Sequence, residues 1–60
     1  MRLKEIWLRK ENSFIIIRQY YRQVVIISNN SFKVINDVSI NDVCNEYEKE
    51  GYHNVKRIRF

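Results

Sequence analysis

The segment FIIIRQYYRQVVII, Phe14 to Ile27, decides most of what this chain can become. It is dense in Ile and Val, whose branched Cβ is restricted in a helix and suits a pleated strand. Wound as a helix, it would align Phe14, Ile17, Tyr21 and Val24 on one side and Ile16, Tyr20 and Ile27 on another. The strand reading is sharper, because hairpin turns dictate partners. Downstream, Ser28-Asn29-Asn30-Ser31 is a two-residue turn signal, since Asn tolerates positive φ. A turn there pairs Ile27 with Phe32, Val25 with Val34, Val24 with Ile35 and Arg22 with Asp37. Upstream, a turn at Glu11-Asn12 pairs Leu8 with Ile15, Trp7 with Ile16, Ile6 with Ile17 and Glu5 with Arg18. Both registers oppose apolar to apolar and cation to anion, each pair worth about 0.2–1 kcal/mol. The segment therefore reads as two strands, Phe14–Arg18 and Arg22–Ser28, within a four-strand meander. One alternative attaches to the first ten residues: RLKEIWLRKE also fits a short helix with Leu3, Ile6, Trp7 and Lys10 on one side.

The acidic stretch that follows is helical. Ser39 is a good N-cap, Asp42 stands where a capping-box acid belongs, and Val38 and Val43 occupy the positions of a hydrophobic staple. Ile40, Val43, Cys44 and Tyr47 form one apolar stripe, and Gly51, the only glycine, stands where helices commonly end. The helix is expected from about Ser39 to Glu50. After it, HNVKRIRF alternates Ile58 and Phe60 with Arg57 and Arg59, a strand with one apolar and one basic face.

The expected fold is thus a single α+β domain over residues 1–60, an antiparallel meander in the order β-β-β-β-α-β. Both faces of the meander carry apolar residues. One can pack on the helix; the other needs barrel closure or a second subunit. The forms that satisfy this are a bent sheet with the helix across one face, or a partial barrel of the SH3-like or OB-like kind. A chain of 60 residues buries only about 60% of its unfolded surface. A homodimer built on strand edges or sheet faces would add stability.

Several function classes are disfavoured. A single cysteine excludes an internal disulfide, and Cys44 with one His53 is too few for a metal cage. His53 reads as a solvated loop residue, Cys44 as a buried inert thiol. Glu46, Glu48 and Glu50 lie two apart on a helix and do not face one another. No phosphate-binding glycine loop is present. No enzyme activity and no cofactor are expected. No apolar run reaches the roughly 18 residues of a membrane span, and the N-terminus lacks the pattern of an export signal, which points to the cytoplasm. Ala, Pro and Thr are absent while Ile, Asn, Lys and Tyr abound, the usage of an AT-rich phage, plasmid or low-GC bacterial gene.

The net charge of +4 is unevenly spread, reading basic, acidic, basic along the chain. Outside the acidic stretch, which holds Lys49, the cations are Arg2, Lys4, Arg9, Lys10, Arg18, Arg22, Lys33, Lys56, Arg57 and Arg59, interleaved with Trp7, Phe14, Tyr20 and Tyr21. Small β-domains bind nucleic acid with such sets, cations on phosphate and rings stacked on bases. Arg57 and Arg59, on the expected solvent face of the last strand, would lead. Arg18 and Arg22 would be partly neutralised by Glu5 and Asp37. The plainer reading makes Trp7 and Phe14 core residues and the cations a soluble surface. A second functional class is a protein-binding regulator or inhibitor acting as a homodimer. Nucleic-acid binding predicts that the basic groups converge in space. Protein binding predicts an exposed apolar patch or a bare edge strand.

Overall fold

The computed structural model describes residues 4–59. Among these residues the order is β1 (Lys4–Lys10), β2 (Ser13–Tyr20), β3 (Gln23–Ser28), β4 (Ser31–Asn36), α1 (Ile40–Lys49) and β5 (His53–Arg59). They form one antiparallel sheet in the order β4-β3-β2-β1-β5. The first segment is a strand, not a helix; Leu3 and Arg2 lie outside the described residues, as does Phe60. Of the two forms the sequence allowed, the open sheet is the one adopted, with β4 and β5 as its edges.

Both hairpin registers stand as expected. Leu8 faces Ile15, Trp7 faces Ile16, Ile6 faces Ile17 and Glu5 faces Arg18. Ile27 faces Phe32, Val25 faces Val34 and Val24 faces Ile35. Beyond the strand ends, the Asp37 N–H donates to the Arg22 carbonyl at 2.9 Å, continuing the ladder. The backbone reason differs at the turns. Neither Asn29 nor Asn30 adopts positive φ; Glu11 (54°), Arg22 (62°) and Asp37 (59°) do. Left-handed backbone costs most L-residues with a Cβ roughly 1–2 kcal/mol, so Glu11 and Arg22, in the two hairpin turns, carry strain imposed by the sheet, while Asp37 is of a type that adopts it readily.

Helix α1 carries the chain from the β4 edge to the opposite edge. The Ser39 hydroxyl accepts the Asp42 N–H at 3.2 Å, and Gln19 Oε1 on β2 accepts the Ile40 N–H at 2.8 Å. Together they satisfy two of the donors that a helix start leaves open. At the other end, Gly51 (φ 104°) lets its own N–H reach the Glu48 carbonyl and the Tyr52 N–H reach the Tyr47 carbonyl. That is a Schellman cap, and its usual apolar contact is the edge-to-face pair Tyr47–Tyr52, centroids 5.4 Å apart.

The helix buries Ile40, Val43 and Cys44 against Ile6, Leu8, Ile15, Ile17, Val24 and Ile26. Strand alternation then assigns every other side chain to the far face. There lie Glu5, Trp7 and Arg9 of β1; Phe14, Ile16, Arg18 and Tyr20 of β2; Val25 and Ile27 of β3; Phe32 and Val34 of β4; and Lys56 and Ile58 of β5. Trp7 and Phe14 are therefore not core residues. They sit on the face opposite the helix, Trp7 half-buried and Phe14 exposed.

Candidate docking face of the sheet

The far face of the sheet has two unlike halves. Toward β4, the ladder sets Ile16, Ile27 and Phe32 side by side across three strands, with Val25 and Val34 in the next row. Phe14 adjoins them at the end of β2. Phe32 is 72% exposed, Val34 44% and Phe14 42%, while Ile16, Val25 and Ile27 are half-buried only by one another and their neighbours. The result is a continuous apolar patch that no element covers among the described residues.

Toward β5 the same face is charged and knotted together. Glu5 is buried although it is an acid on an uncovered surface. Its carboxylate accepts the indole N–H of Trp7 at 2.6 Å and Nε of Arg18 at 2.7 Å. The Trp7 bond is the first cause that holds the Glu5 carboxyl below its ordinary value; burial opposes it, and the Arg18 bond and charge add to it. Arg18 is correspondingly pushed up, by Glu5 first and by Tyr20 second. The Lys56 ammonium lies 5.4 Å from the Trp7 ring centre, and the Arg9 guanidinium lies 5.4 Å from that of Phe14. Two rings on one face thus each carry a cation, a stabilising arrangement.

The cations proposed from sequence do not form one patch. Arg9, Arg18 and Lys56 share the far face with Tyr20. Arg57 pairs with Ile6 and Arg59 with Lys4, which puts both arginines on the helix side, exposed beyond the helix at the sheet edge. Their expected placement on the basic solvent face inverts because the β1–β5 register slips between Trp7 and Leu8, leaving Val55 as an extra residue. Asn54 lies against Arg57; with its amide oxygen turned that way it accepts from Nε at 3.1 Å and from Nη2 at 3.2 Å. Lys33 pairs with Ile26 and also lies on the helix side. Lys10 is on that side too, its ammonium 5.6 Å from the Tyr52 ring. Arg22 and Tyr21 occupy the β2–β3 turn, Tyr21 being 77% exposed. The Arg22–Asp37 pair, at 3.8 Å and well exposed on both sides, contributes little.

Cys44 is buried beneath the helix, where burial, the first cause, pushes its thiol up. Among the described residues no cluster of His, Cys, Asp or Glu could hold a metal ion, and no helix is long and apolar enough to cross a membrane. Phe32 and Val34 were absent from the sequence-derived site. Their signal was available, since the Ile27–Phe32 and Val25–Val34 pairs already imply an apolar second face. The Glu5–Trp7 bond was likewise legible, because residues two apart on a strand share a face.

A comparison with protein-family models, with curated proteins and with solved structures finds no match.

Proposed function

We propose that this chain is a non-catalytic docking module whose working surface is the far face of its sheet, and that its partner is a protein. The observation that carries this reading is the apolar patch of Phe14, Ile16, Val25, Ile27, Phe32 and Val34, uncovered on a small domain. Contiguous apolar surface of that kind marks interaction sites. The patch is flanked by Arg9, Arg18 and Lys56, while the acids Asp42, Glu46 and Glu48 belong to the helix on the other side and Glu50 to its C-cap. The partner surface that fits is apolar at its centre and carries carboxylates at its rim. The separation of the cations over two faces weighs against one electrostatic footprint for nucleic acid.

A second reading keeps support from one feature. Trp7 with Lys56 and Phe14 with Arg9 place ring and cation together, the pairing that single-stranded nucleic acid uses for base stacking and phosphate contact. In this reading the leading contacts are Arg9, Lys56, Trp7 and Tyr20, ahead of Arg57 and Arg59.

Trp7 is the only tryptophan, so its fluorescence reports on this face alone. Titration with single-stranded DNA and RNA at low salt separates the readings. The protein reading expects no salt-sensitive quenching, and expects Ile16→Lys to abolish capture of a partner from cells of the source while Arg57→Glu with Arg59→Glu leaves it intact. Quenching by oligonucleotides whose affinity falls with salt at a log–log slope near −0.7 per contact would favour nucleic acid.

A further inference from the structure

The two edges of the sheet are built differently. Strand β5 is blunted: it carries the bulge at Val55 and the cations Lys56, Arg57 and Arg59. Bulges and charges are the usual means of preventing strand addition. Strand β4 is protected far less, with no bulge and a single charge against three on β5. Its register with β3 runs unbroken from Ser31 to Asn36, it holds no proline, and its one charge, Lys33, points to the helix side. The phase of its backbone is also settled. Asp37 donates to Arg22, so by alternation the odd residues of β4 address β3. Phe32, Val34 and Asn36 therefore turn their N–H and C=O groups outward, where no strand lies among the described residues.

We infer that β4 pairs antiparallel with β4 of a second copy, joining two sheets into one about a two-fold axis at Val34. Symmetry limits the registers, and the number of outward backbone groups satisfied chooses among them. An antiparallel pair of identical edges requires an axis normal to the sheet, which keeps both helices on one side and opposes residues of like parity. Centring on Lys33 would set two ammonium groups face to face, which is destabilising. Centring on Val34 opposes Val34 to its counterpart, Phe32 to Asn36 and Lys33 to Ile35. Every outward-facing group of Phe32, Val34 and Asn36 then meets a partner, giving about six new backbone bonds by the antiparallel pattern. The identical edges are thus self-complementary, as a two-fold interface demands. A different protein would need its own matching strand, whereas a second copy always supplies one.

The test is the mass of the protein in solution against concentration, by sedimentation equilibrium, for the wild type, Val34→Pro and Val34→Lys. Proline at this position removes only an outward N–H and leaves the β3–β4 ladder its donors. Lysine places two like charges at the axis. The expected result is a twofold mass for the wild type at high concentration and a single-chain mass for both variants, with unchanged circular dichroism. Amide exchange on the unmodified dimer provides a reading that no variant's folding can confuse: the amides of Phe32, Val34 and Asn36 should become protected with rising concentration. A wild type that stays single-chain at millimolar concentration overturns the inference. So does a dimer in which those three amides exchange freely. The far-face reading stands or falls separately, because Ile16→Lys lies two strands from the edge and should leave this dimer intact.

Discussion

Removing the Glu5 carboxylate should be the most damaging change available outside the core. Its side chain is only 11% exposed while that of Arg18 is 40% exposed, so the acid is the desolvated member of the pair. Two hydrogen bonds to a charged group, at 2.6 and 2.7 Å, converge on it. Bonds to charged groups contribute roughly 1.5–3 kcal/mol each when well shielded. Screening of the half-exposed arginine places that bond at the low end or below. Glu5→Ala should therefore cost about 2–3 kcal/mol, and Glu5→Gln, which keeps a neutral acceptor, about 1–2 kcal/mol. For a domain of this size each kcal/mol lowers Tm by roughly 4–8 °C. A single small core rarely supplies more than about 3–5 kcal/mol, so Glu5→Ala should leave the fold near its limit. The pH dependence identifies the cause. Glu5 titrates below its ordinary value of 4.5 when folded, so its ionised form stabilises the fold fully above that value. The contribution disappears as pH falls through the lower, folded value. Urea unfolding of wild type and Glu5→Gln should therefore differ by a constant amount between about pH 6 and 8, with the two curves converging in acid below about pH 4. Equal stabilities at pH 7, or a gap that persists undiminished in strong acid, would refute the argument that the ionised carboxylate ties Trp7 and Arg18 together.

Two further expectations concern the helix. Gly51→Ala should cost about 1–2 kcal/mol in urea unfolding through backbone strain, since φ is 104° and an added Cβ would meet Lys10 Cε only at an ordinary 3.5 Å. Cys44, buried and with its thiol pushed up, should react with an aromatic disulfide at pH 8 roughly a hundredfold more slowly than in the urea-unfolded chain.

The hairpins were legible because two independent constraints coincide in each. Turn position and apolar alternation both choose Ile27 opposite Phe32, and both choose Ile6 opposite Ile17. The helix was legible because Ser39 and Gly51 bracket a single apolar stripe. The choice of buried face was harder. Ile6 and Trp7 are both apolar, and so are Ile16 and Ile17, so alternation alone cannot say which set the helix covers. The bulge at Val55 had no residue-level signal, and it reversed the side occupied by Arg57 and Arg59. Turn strain was misplaced for a related reason: the two-residue connections are enforced by strand pairing, and the sheet holds Glu11 and Arg22 at positive φ despite their side chains.

The far face and the β4 edge meet at the same two residues, Phe32 and Val34. Their side chains contribute to the apolar patch while their backbone groups form the free edge. On one chain the patch stops abruptly there, with Phe32 largely exposed to water. Pairing through β4 would bring a second patch alongside on the same side of the joined sheet, because the two-fold axis is normal to it. The apolar surface would then lie at the middle of the assembly, and the clusters of Glu5, Trp7, Arg18 and Lys56 would stand at both ends. A partner spanning the middle would meet two copies of each contact, and its affinity would rise through effective concentration without any new contact type. Partner affinity of the wild type should then be higher above its dimerisation concentration than below it, whereas Ile16→Lys should weaken partner binding at both concentrations and leave the dimer intact. That asymmetry, measured on the same preparations, separates a face that works singly from one that works as a pair.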